Sequence, residues 1–219
     1  MGEGISVVTT SYNERENLQQ LIPAIRRVLA GTPHEIIVID DSSPDGSIEV
    51  AKELADVAVS KQREGQTRGL WQGMQLAKHD VVITIDSDLE NDPKWIPSLV
   101  GKLADCDIVV ASRPNLPRIS ERIFSWIYRK KLGVRDVLSN YRAYNRSIIP
   151  LIAPTKGETF GAEFLIRAKR ANVNIGEIVI EASPRRKEPR IGNTVTANLR
   201  IFNALIRSLS ISLRVDHLI

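Results

Sequence analysis

Two aspartates one residue apart, Asp86 and Asp88, follow directly on the apolar run 81–85 (VVITI). Carboxylates so spaced at the end of a buried strand can converge on a hard divalent cation, Mg2+ or Mn2+. Such ions take oxygen ligands and commonly bridge to a substrate diphosphate. A bare Asp-x-Asp also fits a capped strand-to-helix turn, so the pair needs support from elsewhere in the chain. A second acidic pair, Asp40-Asp41, closes the run 35–39 (EIIVI) and opens Ser42-Ser43-Pro44-Asp45-Gly46. That string is a good Asx-type turn, and either Asp40 or Asp41 is also placed to meet a base or a ribose. Two further apolar runs end in Ser11-Tyr12-Asn13-Glu14 and, just beyond Ser60, in Lys61 and Arg63. His34, His79 and His217 stand in no motif and are expected to be structural or superficial.

The elements that must position these groups alternate. The hydrophobic period predicts strands over 4–9, 35–39, 57–60, 81–85 and 107–111, and helices over 16–30, 47–55, 67–78 and 93–104. This spacing predicts an α/β fold with a mostly parallel, Rossmann-like sheet flanked by helices. Ligands of such sheets lie outside the carboxyl ends of the strands. Four of those ends carry the polar groups named above. Beyond residue 111 the pattern changes to a basic amphipathic helix over 118–132, with Ile119, Ile123, Trp126 and Ile127 at helical spacing. A helix over 161–171, a strand over 174–180, a Pro/Arg-rich stretch over 183–190 and a long C-terminal amphipathic helix over 194–214 follow. With no internal repeat and no low-complexity linker, one domain is expected over 1–192, with a helical extension over 193–219.

A chain of 219 residues, 42% apolar and 26% charged, suits one domain with a full core. The lone Cys106 excludes an intramolecular disulfide and gives no support to a structural zinc site. No window approaches 18 consecutive apolar residues, and no basic segment followed by an apolar stretch begins the chain, so neither a membrane span nor a secretory leader is expected. The net charge of +4 conceals an asymmetry: residues 1–111 sum to −8 and residues 112–219 to +12. Two readings follow, a solvated basic face, or an acidic metal-holding half joined to a basic half that meets phosphates or an anionic membrane.

The runs TTSYNERENLQQLI, EIIVIDDSSPDGS and VITIDSDLENDP, in this order and spacing, resemble the family 2 glycosyltransferases of GT-A fold. VVASR at 109–113, RDVLSNYRAYNRS at 135–147 and GETFGAEFLIRAKRANVNIGEIVI at 157–180 resemble, within that family, the polyprenyl (dolichol) phosphate mannose synthases. The resemblance implies that Tyr12, Glu14, Asp40, Asp41 and Asp86 bind the nucleotide-sugar, with Lys61 and Arg63 nearby. It implies a metal on Asp86 and Asp88, with Glu90 where the group often has a metal-contacting Gln. It implies catalytic roles for Asp88, Arg113 near the phosphates or the sugar, and Arg190 in a late arginine motif. Arg118 or Arg122, with Ser120, falls where the group recognises a lipid phosphate. The chain departs from the pattern at Val195, where lysine is usual, at Thr10, where proline is common, and at Ser139-Asn140, which replaces Thr-Ser-Gly; Arg186 or Lys187 is placed to supply the missing contact.

The expected activity is inverting transfer of a sugar, mannose from GDP-mannose first, to a polyprenyl or dolichyl phosphate. UDP-glucose or another donor, a soluble hydroxyl acceptor, and an inactive nucleotide-binding homologue are the alternatives. A phosphate acceptor is already anionic near neutral pH and needs no general base. A hydroxyl needs one, for which Glu158 and Glu163 are candidates, although Glu163 also suits an ion pair with Arg167 four residues on. The two amphipathic helices, with Trp126 and Tyr128 near Arg129–Lys131 and with Arg200, Arg207 and Arg214 at seven-residue intervals, suit a lipid interface or packing on protein. The expectation is a peripheral protein on the cytoplasmic face of a membrane, with no nucleic-acid partner, as a homo-oligomer or with a small anchor subunit.

Overall fold

A computed structural model describes residues 4–116, 118–155, 157–159, 161–181 and 194–212. Its strands are β1 (Ile5–Ser11), β2 (His34–Asp40), β3 (Val57–Ser60), β4 (Val81–Thr84), β5 (Ile108–Ser112), β6 (Arg142–Asn145) and β7 (Ile175–Val179). Its α-helices are α1 (Arg15–Val28), α2 (Ser47–Leu54), α3 (Gln66–Leu76), α4 (Ile96–Lys102), α5 (Ile119–Leu132), α6 (Ala162–Arg170) and α7 (Thr194–Ser212). Each expected strand and helix is present within a few residues of its expected bounds. The expected helix over 93–104 divides into a 3-10 turn, Pro93–Trp95, and α4, because Asp92 accepts from the Lys94 N–H and Pro93 supplies no donor.

The seven strands form one sheet in the order β3-β2-β1-β4-β6-β5-β7. β1, β2, β3 and β4 pair in parallel, as does β5 with β7. The sheet is mixed rather than uniformly parallel because β6 inserts antiparallel between β4 and β5. The tetrapeptide RAYN predicts no strand, since it has neither an apolar run nor β-branched residues. Side chains alternate between two cores, one on each face of the sheet. Val8, Ile37, Ile39, Val82 and Val110 meet α3, α5, α6 and α7, whereas Val7, Ile36, Val38, Ile83 and Val109 meet α1, α2 and α4.

Along the chain the strands step outward from β1 to β3, then return to β4 on the other side of β1. The crevice beyond the carboxyl ends of β1 and β4 is therefore the topological switch point at which open α/β sheets bind ligands. α3 roofs this crevice closely. A side chain at Gly73 would lie 2.3 Å from Val8, and one at Gly69 2.8 Å from Thr10, so glycine lets the helix rest directly on the sheet. α7 packs on α5 and α6 through Ile201, Ala204 and Leu205. It belongs to the same core as the sheet.

Candidate active site

The crevice is a cleft of about 290 Å³ lined from four strand ends. Ser11, Tyr12 and Glu14 come from the end of β1, Asp41 from β2, Lys61 from β3, and Asp86, Ser87, Asp88 and Glu90 from β4. Arg113 follows β5 and Arg118 precedes α5 on the opposite wall, while Asn140 and Ile201 also line the cleft. Asn13, Ser42 and Leu89, each just past one of these strand ends, have φ of 58°, 59° and 64°. Left-handed backbone at non-glycine residues concentrates at ligand sites, where the surrounding fold compels it.

Asp86 and Asp88 share the floor. The Asp86 Oδ1 accepts from the Gln66 amide at 2.5 Å, and Asp88 Oδ1 accepts from the Glu90 N–H at 3.1 Å. Burial, and after it the Asp88 charge, push the Asp86 carboxyl up to about 7. A divalent cation would relieve that repulsion, so the donor set fits Mg2+ or Mn2+. Among the described residues no three His, Cys, Asp or Glu side chains are grouped to hold an ion. The expected set Asp86, Asp88 and Glu90 does not converge as a ready-made cage. An ion on Asp86 and Asp88 would complete its shell from substrate oxygens and water, as Mg2+ commonly does.

The two aspartates after β2 have separate roles. Asp40 is fully buried and accepts from Ser11 Oγ at 2.7 Å, the Ser43 N–H at 2.8 Å and Ser43 Oγ at 2.5 Å. It locks the turn and is not among the residues that line the cleft. Asp41 faces the cleft and accepts from the Lys61 ammonium and from the N–H groups of Glu64 and Gly65, both at 3.1 Å. Glu14, also buried, accepts from Asn17 Nδ2 at 2.5 Å, and its N–H donates to Ser47 Oγ at 2.9 Å. Arg63 lies outside the lining. Its guanidinium sits 3.8 Å over the Tyr12 ring and donates to the Tyr12 hydroxyl at 3.0 Å, which fixes the ring at the cleft's edge.

The arginine wall rests on two carboxylates, Asp136 and Glu121, to which no motif in the sequence assigns a role. Arg113 Nε donates to Asp136 Oδ2 at 2.6 Å, and its Nη2 lies 3.7 Å from Glu121 Oε2. Arg118 Nη1 donates to Glu121 Oε1 at 2.8 Å. Burial pulls the Arg113 guanidinium down, but Asp136 and Glu121 outweigh it and hold the group protonated above its ordinary range. Each guanidinium has five N–H donors, so these pairs leave donors for an anion. Of the other residues expected at an acceptor phosphate, Ser120 Oγ instead donates to Asn198 Oδ1 at 2.5 Å, tying α5 to α7. Arg122 Nε donates to the Leu116 carbonyl at 2.8 Å and does not line the cleft. Arg190, with Arg186 and Lys187, lies outside the described residues.

Neither candidate base enters the cleft. Glu158 caps the start of α3, accepting from the Thr67 N–H at 3.1 Å and Thr67 Oγ1 at 2.6 Å. Glu163 is fully buried and accepts from the Thr155 N–H at 2.8 Å and Arg167 Nε at 2.7 Å, so the ion-pair reading holds. Gln66, Glu121 and Asp136 carried no sequence signal. Gln66 stands just before the helical pattern over 67–78 and Glu121 inside that over 118–132, where a polar residue reads as solvated, and Asp136 becomes a partner only through its tertiary neighbour.

The profile of glycosyl transferase family 2 matches residues 6–168. A dolichol-phosphate mannosyltransferase of Pyrococcus furiosus is 36% identical over 227 residues, covering 93% of this chain and 64% of that protein. An undecaprenyl-phosphate 4-deoxy-4-formamido-L-arabinose transferase of Pectobacterium carotovorum is 36% identical over 166 residues, covering 67% of this chain and 50% of the relative. The chain thus spans between half and just under two thirds of the length of these relatives. Glucosyl-3-phosphoglycerate synthase from Mycobacterium tuberculosis, solved in complex with Mg2+ and uridine diphosphate, superposes with a TM-score of 0.76 at 25% identity. That match covers 95% of this chain and 80% of the solved one. On its motifs, its strand order and these likenesses, the chain belongs to the family 2 glycosyl transferases.

Proposed function

We propose that this protein is an inverting glycosyltransferase that moves a sugar, first of all mannose from GDP-mannose, to a polyprenyl phosphate at a membrane surface. The carrying observation is the division of one cleft. Carboxylates Asp86 and Asp88 lie on its floor, Asp41, Glu14 and Tyr12 at one side, and Arg113 and Arg118 on the opposite wall. Tyr12, Glu14 and Asp41 would bind the nucleoside, with Lys61 anchoring Asp41 and Arg63 anchoring Tyr12. Asp86 and Asp88 would hold a divalent cation, Mg2+ or Mn2+, which when bound neutralises charge developing on the leaving diphosphate. Mg2+ and Mn2+ complexes of the solved neighbour support that choice of ion. Arg113 and Arg118 would orient an anionic acceptor and stabilise charge as the bond to the anomeric carbon forms.

The phosphate acceptor is supported by the two polyprenyl-phosphate relatives and by the engagement of Glu158 and Glu163 outside the cleft. UDP-glucose is the second donor, because the solved neighbour also binds uridine diphosphate glucose.

The membrane reading rests on an exposed apolar face. Ile119 and Trp126 of α5 are 70% and 81% exposed, with Ile123 beside them, and Leu199, Phe202 and Ile206 of α7 are also exposed. The hydrogen bonds Ser120–Asn198 and Tyr128–Ser208 set the two helices side by side, running in the same direction. Tyr128 itself is buried against α7 and does not belong to the outer face, and neither does Leu205. Arg122, Arg129, Lys130 and Arg200 are exposed on the same two helices, a composition suited to an anionic cytoplasmic leaflet. Among the described residues no helix is long and apolar enough to cross a membrane.

The deciding experiment is a transfer screen of GDP- and UDP-sugars with Mg2+ or Mn2+ against polyprenyl phosphate and a panel of soluble hydroxyl acceptors. Sugar appearing on the lipid phosphate supports the proposal; transfer only to hydroxyls, or none with any lipid phosphate, overturns it.

A further inference from the structure

The residues that lead from β3 into the first turn of α3 touch three parts of the molecule at once. The N–H groups of Glu64 and Gly65 donate to Asp41. The next residue, Gln66, donates its side-chain amide to Asp86 Oδ1 at 2.5 Å and itself lines the cleft. Thr67 donates its N–H and hydroxyl to Glu158. The Thr67 hydroxyl oxygen in turn accepts the N–H groups of Thr159 and Gly161, both at 3.3 Å. Residues 64–67 are thus held on both sides of Gln66, and the glycine contacts of α3 with β1 hold the rest of the helix.

We infer that Gln66 is a positioning residue for Asp86, fixing one carboxylate oxygen so that the other is presented to the divalent cation; this rests on the metal-dependent reading above. Asp86 needs such support, because it lies half-buried beside a like charge and an unrestrained carboxylate would turn away from Asp88. An amide donor favours the charged form and holds the rotamer without adding a charge of its own. A carboxylate that accepts through one oxygen keeps the lone pairs of the other for a ligand bond. The anchoring of residues 64–67 gives this donor a fixed address. It also makes the nucleoside-side Asp41 and the metal-side Asp86 neighbours of one rigid segment.

The test is Mn2+ binding in the presence of GDP or UDP, read as loss of the free-Mn2+ electron paramagnetic resonance signal. Gln66→Met keeps the length and removes the donor. Outer-shell partners of metal ligands typically contribute 10- to 100-fold in affinity, so the Mn2+ dissociation constant is expected to rise by about 10-fold or more. Turnover should recover as Mn2+ is raised, which repair of a merely structural defect would not produce. Mn2+ binding by Gln66→Met equal to that of the wild type overturns the inference while leaving the metal-dependent reading intact. A wild-type protein that binds no Mn2+ with either nucleotide overturns both. If Gln66→Met does not fold, Gln66→Asn, with the amide on a shorter arm, carries the same test with the same deciding outcomes.

Discussion

Arg113 and Asp136 form a nearly buried ion pair at the cleft wall, 2.6 Å from Nε to Oδ2, with the aspartate side chain only 1% exposed. The aspartate's own N–H donates to Ser112 Oγ, so the residue just before Arg113 also fixes its partner. Removing one member of such a pair leaves the other charge without compensation. Asp136→Ala is therefore expected to cost about 3 kcal/mol of stability, measured by chemical denaturation. Arg113→Lys keeps a cation beside Asp136 but loses the planar fork. It should lower kcat by roughly 10²-fold with little loss of stability. An Arg113→Lys enzyme with unchanged kcat would remove Arg113 from the chemistry.

Asp86 gives a pH signature. Its carboxyl is raised to about 7 by burial first and by Asp88 second, against an ordinary value of 3.8. The proton it retains stabilises the metal-free fold fully below about pH 4, and that contribution is lost as pH rises through about 7. Melting temperature of the metal-free protein should therefore fall between about pH 4 and pH 7 and level off above that. Asp86→Asn should remove that slope and melt at least about 2–4 °C above the wild type at pH 8, while losing transfer activity. Identical melting curves for the two proteins across this range would contradict the burial and repulsion that the site implies.

Glu158→Gln and Glu163→Gln separate the two acceptor classes. Glu158 caps α3, and Glu163 holds Thr155 and Arg167, so turnover with a phosphate acceptor should stay within about tenfold of the wild type. Glu163→Gln should cost about 1–2 kcal/mol, because its buried carboxylate loses charge-assisted bonds to Thr155 and Arg167. Abolished transfer in both variants, with folding intact by circular dichroism, would restore a general base and with it a hydroxyl acceptor.

The outer face of α5 and α7 predicts lipid binding. Trp126→Asp and Phe202→Asp each remove an exposed apolar group without opening the core. Sedimentation with vesicles containing anionic phospholipid should fall about tenfold or more for the double variant, and added salt should weaken wild-type binding. Transfer to a short, water-soluble prenyl phosphate should be unchanged. Undiminished sedimentation of the double variant would move the lipid contact elsewhere.

Much of this protein was already determined by local sequence. The apolar runs are long enough to specify buried strands wherever they pair, and the glycine, proline and acidic punctuation fixes where they end. That places Asp41, Asp86 and Asp88 at strand ends and puts chemistry at one edge of the sheet. Tertiary structure decided what no local pattern encodes. β6 is a strand because its four residues fill the gap between β4 and β5, where backbone pairing outweighs a weak propensity. Asp40 and Asp41 part because the turn directs one carboxylate onto Ser11 and Ser43 and the other into the cleft. Gln66, Glu121 and Asp136 owe their roles to partners 20, 8 and 23 residues away along the chain. Of the apolar set on α5 that periodicity suggested, Ile119, Ile123 and Trp126 are exposed and Ile127 packs against the core, where Phe124, Tyr128 and Leu132 are buried. A helix of mixed composition has more than one apolar stripe, and only its neighbours in the fold determine which is buried.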